Sequence, residues 1–284
     1  MKKEISCVQD GNRLEISVAD IQFFVEVQGL DLGIIQDYSF ALFMTVPFAM
    51  RQGFDLHCNL SVDPVVVKNV EKLSEIWSIW MPDVFQSVSV GHTFWERHVG
   101  AQSQQKAYMF SGGVDSTYMI SEEDTDYGDS VITIFGLDYK LKREEAFARH
   151  LSKTAPFLQE KKLNQIVVNT DLPKKLGRLN LNHGFILAGV AFLFRAHFSK
   201  VCLAADYNLI QQMVTFPWGT NFITNKFFKG DGFELETKNS EMGRAEKIAS
   251  LIHHPAALSS LVFCGDSKHR PNNCGRCSKC VRTK

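Results

Sequence analysis

Ser111-Gly112-Gly113-Val114-Asp115-Ser116 is the stretch from which this chain is read. It follows a short run of strand character, Ala107-Tyr108-Met109-Phe110, and precedes a helix-compatible one, Thr117-Tyr118-Met119-Ile120. A strand that ends in two glycines and opens a helix turns several backbone N–H groups toward one point. Glycine has no Cβ, so an anion can approach the main chain closely. The helix N-terminus adds the positive end of a dipole, and phosphate is the expected guest. Ser111 and Ser116 can donate hydroxyl hydrogen bonds to phosphate oxygens, and Asp115 can hold a divalent metal that bridges phosphates. The spacing is neither G-x-x-x-x-G-K-[ST] nor G-x-G-x-x-G.

Downstream of the loop, strands alternate with helix-length segments. Val131–Phe135 is a continuous apolar run, as a strand buried on both faces requires. Helical periodicity over Lys142–Leu158 leads to a third strand, Gln165–Asn169. A mostly apolar helix over Gly184–Phe198 and a fourth strand at Lys200–Ala205 complete the pattern. It predicts an α/β fold, a doubly wound parallel sheet with ligands at the carboxyl ends of its strands. Asp138, Asp171 and Asp206 follow predicted strands closely. Asp138 could line an adenosine pocket or contact metal. Asp171, before Leu172-Pro173, reads as a turn former or helix cap, and Asp206 fits a cap or a ligand equally well. Met242–Ile252 is helix-like, and Arg244 and Lys247 within it read as surface charge, with reach to a nucleotide as the alternative for either. His183 stands at an expected strand-to-helix transition and reads as a satisfied structural histidine.

Residues 1–100 read differently. Ile5–Val8, Arg13–Val18, Gln22–Val27 and Phe54–Val62 have strand character, and Val66–Trp80 has helical spacing. A smaller N-terminal α+β domain over 1–100, a connector near Ser87–Gln105 and a second domain over 101–284 are expected. Length fits two modest domains, since the chain has 284 residues. Lys plus Arg and Asp plus Glu are 31 each, so no global field favours nucleic acid or a membrane surface. No segment has the length and apolarity of a signal-peptide core or a bilayer span, and a cytoplasmic protein is expected. The longest apolar stretch, near Phe185–Phe198, is interrupted by Arg195 and His197.

In a reducing compartment the seven cysteines are not read as disulfides. Cys7, Cys58 and Cys202 are scattered, whereas Cys264, Cys274, Cys277 and Cys280 cluster. The last three form C-G-R-C-S-K-C, two C-x-x-C steps sharing a cysteine. Four thiolates suit a closed, structural Zn²⁺ site, and Gly275 permits the tight turn that aims backbone amides at sulfur. An iron–sulfur cluster would use the same ligands, and a pair of redox disulfides is the third reading. Arg276, Lys279, Arg282 and Lys284 can offset the thiolate charge, Lys268 and Arg270 add to this basic segment, and the alternative is that these residues touch an RNA or nucleotide phosphate.

Ser111–Ser116 together with Cys264, Cys274, Cys277 and Cys280 resembles the PP-loop ATP pyrophosphatase superfamily, in particular the 7-cyano-7-deazaguanine synthases of queuosine biosynthesis. The Asp206-Tyr207 pair adds to the likeness, which covers about residues 107–284. One departure stands out: where those enzymes carry Pro-Asp-Cys-Arg, this chain has Phe216-Pro217-Trp218-Gly219-Thr220. The resemblance implies ATP bound with Mg²⁺ at Ser111, Gly112, Gly113, Val114, Asp115 and Ser116, with Asp138 and Asp206 nearby and Asp115 and Ser116 as candidate catalytic residues. It implies a ligase that adenylates a small-molecule or carrier-bound carboxylate, releases pyrophosphate and passes the acyl group to ammonia or an amine. A divergent substrate is expected from the departure, and a homo-oligomer is the expected assembly. Sulfur transfer by a relative of the same superfamily, and a non-catalytic ATP-binding sensor or assembly subunit, are the alternatives.

Overall fold

A computed structural model describes residues 1–92 and 103–283. The chain opens with a meander of β1 (Lys2–Asp10), β2 (Arg13–Val18) and β3 (Ile21–Gln28). Leu14, Ile16 and Val18 point to one buried face, as period-2 alternation demands. α1 (Ser39–Gln52) is buried at every residue from Ser39 to Met50. β4 (Asp55–Cys58) then runs parallel to β1. The strand expected over Phe54–Val62 ends early because Asp63 and Pro64 start α2 (Pro64–Trp80): the Asp63 carboxylate caps the Val65 N–H at 2.7 Å, and proline fits the first turn. β5 (Val90–His92) adds to β4. The remainder of the expected connector up to 102 lies outside the described residues.

β6 (Lys106–Met109), α3 (Val114–Glu122), β7 (Ser130–Phe135), α4 (Glu144–Glu160) and β8 (Asn164–Thr170) follow the predicted rhythm. α5 (Leu172–Leu176) and α6 (Leu179–Leu193) precede β9 (Lys200–Ala204). α6 starts and ends five residues before the expected helix, so His183 lies inside its first turns. Short α7 (Leu209–Val214), α8 (Phe222–Asn225) and β10 (Lys229–Gly230) lead to β11 (Phe233–Lys238). α9 (Arg244–Leu251), α10 (Pro255–Ser260) and α11 (Ser278–Thr283) finish the described chain.

The strands form one sheet in the order β10-β11-β9-β6-β7-β8-β3-β2-β1-β4-β5. From β11 to β8 all neighbours are parallel. The chain builds outward from β6 through β7 to β8, then returns to β9 on the other side of β6. That reversal is a topological switch point, and a crevice opens there beyond the carboxyl ends of β6 and β9. The two segments that the sequence separates near residue 100 are joined edge to edge. β3 pairs antiparallel with β8, Val25 opposite Thr170 and Val27 opposite Val168. One hydrophobic core crosses the join and includes Phe23, Phe43, Ile132, Val168, Phe185 and Phe192.

Arg195, just past α6, is buried where the sequence suggests only an interruption. Its guanidinium contacts Asp37, meets Asp63 at 2.9 Å and donates to the Asp231 carbonyl at 2.7 Å. Two carboxylates from the first half of the chain compensate the burial of this charge, so the group fastens the halves together. Among the described residues, no helix is long and apolar enough to cross a membrane.

Candidate functional site

The loop after β6 is built from its glycines outward. Gly112 has φ +67°, and a Cβ there would stand 2.8 Å from Cε1 of His150 and 3.1 Å from Cγ2 of Thr154. Glycine is therefore required both by the backbone and by the space under the loop. Gly113 is the N-cap residue of α3, whose first residues are Val114, Asp115 and Ser116. Ser111 and Ser116 face each other with Oγ atoms 3.3 Å apart, and the Ser116 hydroxyl also accepts from the Ser111 N–H at 3.3 Å. The Gly112 carbonyl accepts from the Val262 N–H at 2.7 Å, so the cysteine-bearing segment is tied to the loop itself.

A cavity of about 450 Å³ lies over the loop, and it also takes in Asp138 and Asp206. This volume is within the range of small-molecule sites. The structure thus brings the loop and two of the three strand-end acids to one place. Asp138 follows Gly136, whose φ of +115° turns the chain out of β7; a Cβ there would meet the Thr170 carbonyl oxygen at 1.9 Å. Asp171 is elsewhere: its Oδ1 accepts from the Phe24 N–H at 3.0 Å and fastens β3 to the end of β8. It does not act as the side-chain cap the sequence suggests.

Asp206 is no helix cap either, because Asn208 caps α7 by accepting from the Gln211 N–H at 2.9 Å. One oxygen of Asp206 accepts from Trp218 Nε1 and Thr220 Oγ1, each at 3.0 Å, and lies 3.4 Å from His183 Nε2. Desolvation in the pocket wall pushes its carboxyl up, but His183, Trp218 and Thr220 together hold it well below the usual carboxylate range. His183 is oriented by a 2.7 Å bond from Nδ1 to the Leu179 carbonyl. Trp218 and Thr220 come from the stretch that departs from the synthase pattern, so the departure lands inside the cavity wall.

Asp115 carries a cation on each oxygen. Arg244 Nη1 is 2.9 Å from Oδ2 and Lys247 Nζ is 3.3 Å from Oδ1. Lys247 also donates to the Ala205 carbonyl at 2.7 Å and is 1% exposed. The surface-charge reading of Lys247 is corrected by this burial: the α9 face that carries it packs on α3, and the carboxylate draws the ammonium inward. Burial raises the Asp115 carboxyl above its ordinary value, opposed by Lys247 and Arg244. With a cation on each oxygen, Asp115 orders Arg244 and Lys247 at the start of α3.

Beneath the loop, Nδ1 of His150 and Oη of Tyr139 are buried without hydrogen-bond partners among the described residues, and both residues line the cavity. Orphaned polar atoms facing a cavity can be satisfied by a polar guest. His150 sits against Tyr139 and Phe147, with ring centroids 5.3 and 6.0 Å away. Burial pushes His150 down from 6.5 to about 4. The unfolded chain therefore binds a proton between those values that the folded chain refuses, and stability falls as pH drops through 6.5 toward 4. The expected loss from this side chain is about 3 kcal/mol over that window. Urea midpoints measured from pH 7 to 4 should fall more steeply for the native chain than for His150→Gln. Parallel profiles would remove the assignment.

The four cysteines meet within the C-terminal segment whose Val262, Phe263, Arg270 and Lys279 line the cavity. Their Sγ atoms all lie within 4.8 Å of one another, with Cys264–Cys277 at 3.9 Å and Cys274–Cys280 at 3.8 Å. A tetrahedron of Zn–S bonds near 2.3 Å has S···S edges of about 3.8 Å, so this donor set could hold a metal such as zinc. The Cys277 sulfur accepts N–H bonds from Gly265 at 3.3 Å and Cys280 at 3.5 Å. Bonds of this kind pull the Cys277 thiol down to about 5, the thiolate form a metal needs. Gly275 takes the left-handed turn, at φ +75°. Cys202, by contrast, is fully buried in β9, and burial pushes its thiol up to about 12.

Arg270 joins the two sites. It donates Nε–H to the Cys264 carbonyl at 2.8 Å and Nη1–H to Asp138 Oδ1 at 2.9 Å. The sequence marks Arg270 only as part of a basic segment; the signal that was there is its position between metal ligands. What these elements define is a glycine-turned loop at a switch point, beside a segment that carries a four-cysteine cluster. Compared with models of protein families, with curated proteins and with solved structures, the chain matches none.

Proposed function

We propose that this chain is an ATP-dependent ligase of the PP-loop type, which adenylates a carboxylate-type acceptor and releases pyrophosphate. The observation that carries the reading is the placement of Ser111–Ser116 at the switch point, in one cavity with Asp138, Asp206 and three basic side chains. The N–H groups at the start of α3 and the hydroxyls of Ser111 and Ser116 would bind the β- and γ-phosphates. The acceptor oxygen attacks the α-phosphorus, the bond to the bridging oxygen of the β-phosphate breaks, and pyrophosphate carries that electron pair away. Preorganised donors at the loop favour charge building on the leaving group. Ammonia or an amine then displaces AMP from the acyl adenylate. Asp138 and Asp206, whose carboxylates line the cavity, would hold Mg²⁺, which would supply further charge neutralisation. The thiol of Cys202 is buried and protonated at neutral pH, which favours amide formation over sulfur transfer. Trp218 and Thr220 on Asp206 support an acceptor different from that of the deazaguanine synthases.

Incubation with α- and γ-labelled ATP, Mg²⁺, ammonium and a panel of carboxylic acids tests the reading. AMP and pyrophosphate in equal amounts, dependent on one acid, are expected. Release of ADP and phosphate would contradict cleavage between the α- and β-phosphates.

A further inference from the structure

Three cations line the cavity: Arg244, Arg270 and Lys279. Arg244 is bound to Asp115 and Arg270 to Asp138. Among the described residues, the Lys279 ammonium has no hydrogen bond and no ion pair. Asp115 and Asp138 thus engage Arg244, Lys247 and Arg270, whereas no carboxylate engages Lys279 among the described residues. A site with one unpartnered ammonium beside an amide-rich loop is suited to a polyanion.

Lys279 is also placed, not merely present. It lies in α11 between Cys277 and Cys280, and its stem runs past Gly265, where a Cβ would stand 3.7 Å from Lys279 Cγ. Both ends of its segment are tied to the phosphate loop. At one end the Val262 N–H bonds to the Gly112 carbonyl. At the other, Thr283 Oγ1 donates to the Lys279 carbonyl at 2.8 Å and accepts from Arg244 Nη2 at 3.4 Å, whose Nη1 holds Asp115. The hydrogen bonds to sulfur come from the backbone N–H groups of Gly265, Cys277 and Cys280, and none comes from the Lys279 ammonium among the described residues.

The geometry points to Lys279 as the cation that grips the terminal phosphates of a nucleoside triphosphate, delivered to the cavity by the cysteine centre. This assignment rests on the ATP-binding reading above and gives the metal segment a part in substrate binding as well as in folding. Lysine serves here as a point charge that can follow the phosphates from triphosphate to pyrophosphate.

The test measures dissociation constants for ATP, pyrophosphate and AMP with the native chain, Lys279→Ala, Lys279→Arg and Ser116→Ala, each with its metal content and melting temperature determined. Lys279→Ala should weaken ATP and pyrophosphate about tenfold, the scale of one charge-assisted contact, and leave AMP unchanged. Lys279→Arg should recover part of the loss. Full metal content and an unchanged melting temperature are expected in both. Unchanged ATP affinity in Lys279→Ala, or an equal loss for AMP, overturns the assignment. If Ser116→Ala weakens ATP while Lys279→Ala does not, the assignment falls and the loop reading survives. If the native chain and Ser116→Ala bind ATP alike, the loop reading falls with it.

Discussion

On the proposed ATP-binding reading, and with a metal such as zinc held by the four cysteines, chelation of that metal or replacement of Cys280 by serine should abolish nucleotide binding as well as loosen the chain around residues 262–283. This is the largest effect expected for any single perturbation. The segment has few apolar side chains of its own. It is organised by the Asn273 side chain, which accepts from the N–H groups of Phe263 and Cys264, and by Lys153, which donates to the Leu261 and Pro271 carbonyls. Structural zinc contributes apparent binding energies on the order of 10 kcal/mol, far more than such bonds supply. Without it the Val262–Gly112 tie and the Arg270–Asp138 pair lose their anchor, and one wall of the cavity goes with them. Metal analysis, limited proteolysis and nucleotide binding, before and after chelation, measure the three effects together. A chelated chain that resists protease at 262–283 and still binds ATP would show that the centre has no such role. Equimolar zinc and an absence of visible absorbance would separate zinc from an iron–sulfur cluster.

Asp115→Ala should fail twice. It leaves Lys247, 1% exposed, and Arg244 without their carboxylate. Removing one partner of a buried pair costs about 3–5 kcal/mol, so the melting temperature should fall clearly. Pyrophosphate release should be lost as well, because Arg244 and the start of α3 are no longer held in register. The two effects separate in the double variant Asp115→Ala, Lys247→Met, which removes the buried charge along with its partner. Stability should return in part, and pyrophosphate release should not. A double variant with full activity would take Asp115 out of the reaction. A single variant as stable as the native chain would show that the pair is not a fastening.

What could be read beforehand follows from how each signal is written in the chain. The loop and the cysteine cluster are local: a few residues at fixed spacing dictate a turn or a donor set, and the structure shows the left-handed turn at Gly112 and four sulfurs within 4.8 Å of one another. The parallel strands were legible because they are uninterrupted apolar runs. α1 was not, since burial on all sides erases the 3.6-residue period by which a helix is recognised. β11 was missed because Phe233-Glu234-Leu235-Glu236 alternates only briefly, its neighbour β9 supplying the rest of its stability. Charged residues were the hardest. Lys247 and Arg195 look like surface groups in sequence, and only the carboxylates that meet them, Asp115 and Asp63, explain their burial. Pairings across more than a hundred residues leave no local mark. The same holds for the join of β3 to β8.

That join has a consequence for anyone hoping to isolate the second half of the chain as a fragment. β8 is an inner strand only because β3 covers its outer side. Cutting the chain near residue 100 would expose a row of unsatisfied amides and carbonyls along Val167–Thr170, flanked by bare apolar surface. Such a rim invites pairing with whatever strand comes by, and other copies of the truncated chain would be the nearest candidates. The amino-terminal meander is in this sense a selvedge, the finished border that keeps the weave from catching on itself.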